Sequence, residues 1–171
     1  VTVLRQGWGV EPLTEGQAAC VSTMSYNEYW VVRDAGYSPE QLTVFKYQSE
    51  GAATLEDGLY VHEKNLSDAA FKDKMVRFVR ASMKGWKYAE ENPKEAAMII
   101  LDNDDAGVQT EKHQVRMMGE IAKLTAGSNG SLDEADYERT VKVLMSGDSD
   151  PVITKKPSGA WTNEITNAAL N

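Results

Sequence analysis

The stretch from Ser67 to Leu101 constrains the fold of this chain more than any other. Its apolar residues recur at mostly three- and four-residue steps, the pattern of a long helix with one buried stripe. Asn92-Pro93 ends that helix and begins a second, because proline disfavours helical geometry in the preceding residue and suits a first helical position. We therefore predict two scaffold helices joined without a spacer, the first capped by Ser67. The predicted buried residues are Phe71, Met75, Phe78, Val79, Ala81, Met83 and Trp86, then Ala96 to Leu101.

The composition is that of a globular chain with its own core and excludes several functions. Of the 171 residues, 42% are hydrophobic and 26% charged, and no apolar run approaches the roughly 20 residues of a membrane span. The net charge of -8 argues against a nucleic-acid partner, which would require clustered Lys and Arg. Cys20 is the only cysteine, and His62 and His113 lack metal-ligand spacing. We therefore expect no intrachain disulfide, metal site or cofactor.

Short apolar segments alternate with helical patterns in the first 50 residues. Strands are predicted at 1–4, 18–24 and 43–47, with helices at about 11–15 and 26–34 between them. This β-α-β-α-β order favours a small parallel sheet. The remaining predicted elements are a strand at 55–61 and helices at 110–125 ended by Gly127, 131–145 capped by Ser131 and ended by Gly147, and 162–170 after a packed Trp161.

The predicted binding region consists of the loops 5–9 and 22–28. In open α/β sheets, ligands bind beyond the carboxyl ends of the strands, where both loops would lie. Trp8 offers a stacking face or, alternatively, covers the sheet edge. Ser25 and Glu28 have capping-box spacing, which would occupy them locally, whereas Asn27 is not needed for that cap. Two further candidates in the second loop are Thr23 and Tyr26.

Four motifs, spread over nearly the whole chain, carry a resemblance to a known family. They are Leu13-x-x-Gly16-Gln17-Ala18-Ala19, Tyr26-Asn27-Glu28, Glu56 to Val61, and Phe78 to Ala97 with its Asn92-Pro93 step. Together they resemble the C-terminal half of the solute-binding proteins of ABC importers. This group serves nitrate, alkanesulfonates, taurine and the pyrimidine precursors of thiamine.

The resemblance implies an α/β fold of the periplasmic-binding-protein type (type II), present here incompletely as a small parallel sheet plus a helix-rich C-terminal part. Residues 1–50 would belong to the second lobe and residues 51–171 to the first. The family's N-terminal half is absent, in agreement with a fourth strand that has no evident partner, so we expect a partial protein. The implied partners are a solute, that missing half and a membrane permease, at a periplasmic or extracellular membrane-associated location.

The same resemblance places Asn27 and Glu28 at the solute, with Trp8 as a wall. A carboxylate beside an aromatic wall suits an amine-bearing heterocycle better than a bare anion, which calls for Arg or Lys. We therefore favour a thiamine-precursor-like pyrimidine over alkanesulfonate, taurine or nitrate. Asp57, near the predicted hinge, is either a cleft residue or a turn residue.

Two other classes of protein are alternatives to a binding protein. Fungal relatives of the fold make the thiamine pyrimidine with iron, a Cys-rich segment and a consumed histidine. Cys20 stands alone and neither histidine lies in such a motif, so we expect no enzyme and no catalytic residues. The other alternative is a non-binding interaction module, whose exposed sheet edge would favour dimerisation.

Overall fold

The computed structural model describes residues 2–146 and 150–171, and within them the architecture is helical. Short 3-10 helices occur at Pro39–Gln41 and Glu63–Ser67. The α-helices of the described ranges are α1 (Glu11–Thr14), α2 (Glu28–Asp34), α3 (Ala69–Glu91), α4 (Pro93–Asp102), α5 (Glu111–Thr125), α6 (Glu134–Met145) and α7 (Glu164–Leu170). In this part of the chain no helix combines the length and apolar character required to cross a bilayer.

The predicted parallel sheet is absent from the described residues, so the α/β, periplasmic-binding-protein-like prediction is wrong. The segments 2–4, 18–24, 43–47 and 55–61 form no strand, and Val1 lies outside the described residues. Several of their apolar side chains stay in solvent, with Val3 89% and Tyr60 81% exposed. The physical reason is that β-branched and aromatic runs favour a strand only where another segment pairs with their backbone N–H and C=O groups.

The helix pair around Asn92-Pro93 is confirmed. Helix α3 ends at Glu91 and α4 begins at Pro93, and the Asn92 side-chain amide donates to the carbonyl of Tyr88 at 3.0 Å. The predicted buried stripe is only partly correct, because no residue of α3 is fully buried and Trp86 is 45% exposed. In α4 the buried residues are Ala96 and Ala97 alone. The periodicity identifies the apolar face of each helix, but it does not indicate how much of that face other parts of the chain bury.

Two predicted N-caps are displaced to a nearby aspartate. Asp68, not Ser67, accepts from the backbone N–H of Ala70 at 2.8 Å at the start of α3. Asp133, not Ser131, accepts from the backbone N–H groups of Ala135 and Asp136 at the start of α6. Aspartate is at least as good a cap as serine, and each aspartate directly precedes its helix. The predicted helix end at Gly147 lies outside the described residues.

The chain forms two compact units, Val1–Val44 with Trp86–Ala126 and Phe45–Gly85 with Gly127–Asn171. The division into lobes at residue 50 stays a prediction. In the first unit α4 packs on α5, and a small core forms from Ala96, Ala97 and Met118, with Ala97 fully buried. Partly buried residues around this core are Ala89, Val115 and Ile121. Helix α5 lies within the predicted range 110–125, and the Thr110 side chain caps it by accepting from the backbone N–H of His113.

The second unit holds α6, α7 and most of α3. Arg80 donates to the carbonyls of Ala169 and Ala168 at 3.0 and 3.1 Å, and Lys72 bonds Glu164 at 2.5 Å. Because these contacts advance in the same direction along both helices, α7 runs parallel to this part of α3. The predicted packing of Trp161 is confirmed by its contact with the Tyr137 ring, at 5.9 Å between centroids.

Candidate functional site

The two loops predicted to bind a ligand are joined by one glutamine side chain. Gln6 Nε2 donates to the carbonyl of Ser22 at 2.8 Å, and the backbone N–H of Ser22 donates to Gln6 Oε1 at 2.8 Å. A side-chain amide thus makes both hydrogen bonds that a neighbouring backbone would make. The loops 5–9 and 22–28 are therefore brought together as predicted, although by a side chain and not by a sheet.

A hydrogen-bonded polar cluster lies where the second loop enters α2. Asn27 Oδ1 lies 2.8 Å from His113 Nε2 on α5, and Asn27 Nδ2 donates to Glu28 Oε1 at 3.0 Å. The other carboxylate oxygen of Glu28 accepts from the backbone N–H of Met24 at 2.8 Å. The predicted capping box is therefore corrected, because Glu28 reaches back to Met24 and not to Ser25. The side chains of Asn27, Glu28 and His113 are half-buried. Their hydrogen bonds hold them in place, and solvent still reaches them.

A second set of contacts joins α2 to α5. Asp34 accepts from Arg116 at 2.9 Å and from Lys112 at 3.0 Å. The hydrogen bond from Arg116, followed by that from Lys112, holds the pKa of the Asp34 carboxyl below its usual value. The Arg116 guanidinium also lies 4.8 Å from the centroid of the Trp30 ring, in cation–π geometry. These contacts hold α2 on α5 and so support the Asn27–His113 pair.

Three buried donors on α2 have no acceptor within the described ranges. They are the indole Nε1 of Trp30 and the Nε and Nη1 atoms of Arg33. Trp30 and Arg33 are three residues apart and so neighbours on the helix surface. Glu40 is close enough for the positive charge of Arg33 to contribute to lowering its pKa, behind the larger effect of its hydrogen bond with Ser38. Buried donors of this kind are costly unless an acceptor reaches them.

The predicted site residues divide into three groups. Asn27, Glu28 and Tyr26 are half-buried beside one another, and the first two belong to the cluster with His113. Trp8 and Thr23 are in the same unit but exposed. Trp8 is 99% exposed, so among the described residues its ring covers no neighbouring surface as a lid would. Asp57 belongs to the second unit, where it is exposed. The role of all six predicted residues in binding a solute stays a prediction.

The residues of this region that were missed from the sequence include Gln6, Trp30, Arg33, His113 and Arg116. Gln6 carried no signal beyond its place in a polar loop. His113 lies 86 positions from Asn27, and its only local signal was Thr110, the cap of its helix. Among the described residues, no group of three or more His, Cys, Asp or Glu side chains is placed to hold a metal ion. The arrangement can bind a polar molecule through amide, carboxylate and imidazole groups.

Comparison with known families gave a match. A family model described as NMT1/THI5 like matches residues 1–96, more than half of the chain. The chain therefore belongs to the NMT1/THI5-like family, and the resemblance to its solute-binding group is confirmed. Membership indicates a solute-binding or related function. The comparison with curated proteins and the comparison with solved structures gave no match.

Proposed function

We propose that this protein is the solute-binding component of an ABC importer and that its solute is a small nitrogenous molecule such as a thiamine pyrimidine precursor. The observation that carries the proposal is the Asn27–Glu28 pair, which lies in the family-matched range and is held half-buried by His113. Such a pair offers both a donor and a carboxylate acceptor to an amino-substituted ring.

Binding without chemistry is the proposed activity, so no turnover is expected. The proposed partner is a membrane permease, and the proposed location is periplasmic or extracellular at the membrane. We also propose that a further part of the same protein, its N-terminal half, covers apolar side chains such as Phe45 and Tyr60, which are 65% and 81% exposed. Covering such side chains would remove apolar area from water, which favours association.

An anionic solute is the second candidate, and a specific observation supports it. The unpaired donors of Arg33 and Trp30 require an acceptor, which a sulfonate, taurine or nitrate oxygen would supply. This basic group was not among the residues predicted from the sequence. Binding of these anions would depend on Arg33, whereas binding of an aminopyrimidine would depend on Asn27 and Glu28.

Calorimetric titration with 4-aminopyrimidine, taurine and nitrate tests both candidates. Asn27→Ala is expected to abolish aminopyrimidine binding while changing the free energy of unfolding by about 1 kcal/mol or less. Asn103→Ala is the matched control, because Asn103 is exposed and its side-chain amide donates to the nearby Ile99 carbonyl. Arg33→Gln is expected to weaken taurine or nitrate instead. Unchanged aminopyrimidine affinity in Asn27→Ala would remove Asn27 from the site, and no binding by the unaltered protein would reject the solute proposal.

A further inference from the structure

The orientation of the Asn27 amide follows from the chemistry of its two neighbours. A carboxylate can only accept hydrogen bonds, and the Asn27 atom that lies 3.0 Å from the Glu28 carboxylate is accordingly the amide nitrogen. The Asn27 oxygen is then the atom that lies 2.8 Å from His113 Nε2. Because that oxygen can only accept, Nε2 must carry a hydrogen. The cluster therefore specifies one amide orientation and an Nε2-protonated imidazole.

We propose that His113 is a positioning residue of the solute site, which fixes the Asn27 amide so that its second N–H is presented to a hydrogen-bond acceptor of the solute. The inference rests on the proposed function and adds to it a residue of α5 that lies beyond the family-matched range 1–96. Asn27 has two N–H groups, and Glu28 engages one of them. Within the part of the chain that the structure describes, the other has no acceptor, and it is the group that remains for a solute.

The hydrogen-bonding groups of Asn27 and Glu28 that the cluster does not use indicate the chemistry of the solute. The carboxylate of Glu28 accepts one hydrogen bond on each oxygen, from Asn27 and from the backbone N–H of Met24, and retains free lone pairs. A donor on Asn27 beside an acceptor on Glu28 matches a solute edge with an acceptor next to a donor. Ring nitrogens with an adjacent amino group and primary amides both have this edge.

The supporting contacts make His113 a rigid partner for Asn27. Its backbone N–H is held by the Thr110 cap, and its helix is held to α2 by the bonds from Arg116 and Lys112 to Asp34. Because the backbone of His113 and the helix that carries it are both held in place, its imidazole cannot easily move if the Asn27 amide rotates. Loss of the Nε2 hydrogen would therefore release the Asn27 amide to rotate.

The first test needs no ligand and uses the full chain. Nitrogen-15 NMR of the imidazole reports which ring nitrogen of His113 carries the hydrogen near neutral pH. We expect the hydrogen to be on Nε2. We also expect separate signals for the two Asn27 amide hydrogens, and we expect these signals to shift in His113→Glu. An Nδ1-protonated ring with a bare Nε2 would overturn the inference.

The second test compares side chains that differ in donor capacity. His113→Gln keeps an N–H donor and is expected to bind 4-aminopyrimidine within about threefold of the unaltered protein. His113→Glu offers only acceptors to the Asn27 oxygen. Its affinity for 4-aminopyrimidine is expected to fall by about tenfold or more, which corresponds to the loss of one hydrogen bond. Equal affinities in these two variants, with helix content intact, would also overturn the inference. If 4-aminopyrimidine, taurine and nitrate all fail to bind the unaltered protein, the proposed function is rejected, and the NMR measurement still decides whether His113 orients Asn27.

Discussion

Met118 provides the sharpest test of the packing that holds the first unit. It is only 8% exposed and fills the space against Ala96 and Ala97, the two buried alanines of α4. Met118→Ala removes most of that side chain and leaves a cavity that alanine neighbours cannot fill. Substitutions of this type cost about 2–5 kcal/mol in closely packed cores.

The expected cost lies at the lower end of that range. The rim residues Val115 and Ile121 are only partly buried, so they can move inward and reduce the cavity. We therefore expect Met118→Ala to lower the free energy of unfolding by about 2–3 kcal/mol. The opposite change, Ala97→Leu, adds volume at a fully buried position and is expected to cost about 1–3 kcal/mol through overpacking.

Urea denaturation followed by circular dichroism measures both effects. Leu124→Ala is the matched control on α5, because Leu124 is 58% exposed and its removal should change the free energy of unfolding by less than about 0.5 kcal/mol. Met118→Leu, which nearly conserves volume, should cost less than about 1.5 kcal/mol. Equal losses in Met118→Ala and Leu124→Ala would refute the assignment of the core to the α4–α5 contact.

Three further predictions address charge and helix contacts. The Asp34 carboxyl has a lowered pKa in the folded state, so its stabilisation is present above the unfolded pKa and is lost as pH falls through the folded pKa. Asp34→Asn should therefore flatten the dependence of stability on pH below about pH 4, and an unchanged acid limb would contradict the Arg116 and Lys112 bonds. Arg80→Ala should speed hydrogen exchange in α7, with a cost of about 1 kcal/mol, whereas Arg77→Ala, which loses only an exposed pair with Asp73, should not. A hydrogen bond with Glu95 raises the pKa of Tyr88, so Glu95→Gln should lower the pKa that NMR titration assigns to Tyr88, and no change would exclude this bond.

The helices could be predicted from the sequence where local signals determine them. The Asn92-Pro93 step was placed correctly because proline geometry acts on the adjacent residues alone. The sheet could not be predicted reliably, because a strand depends on a partner that no local pattern reveals. The segment 55–61 shows this: the backbone N–H of Leu55 bonds the Thr140 hydroxyl of α6 and not a second strand.

The candidate site was predictable only in its local part. Asn27 and Glu28 were identified from a motif, and their mutual bond follows from adjacency. From α5, His113 reaches Asn27 and Arg116 reaches Asp34, each across more than 80 positions. Such pairings are set by helix packing, which no local pattern in one sequence reveals. The ligand candidates Trp8 and Asp57 rested on the expected sheet edge and hinge, which depended on the sheet.

Two hydrogen bonds between the Gln6 side-chain amide and the Ser22 backbone join the loops 5–9 and 22–28. A chemical change in that one amide would therefore alter how the two loops are held together. Hydrolysis of the Gln6 amide to a carboxylate would keep the acceptor for the Ser22 N–H but replace the donor with a negative charge facing the Ser22 carbonyl. Spontaneous deamidation during storage would thus loosen the loops while leaving Asn27 and Glu28 chemically intact. Aged preparations would differ from fresh ones by about one mass unit per chain in the affected peptide, a difference that mass spectrometry resolves.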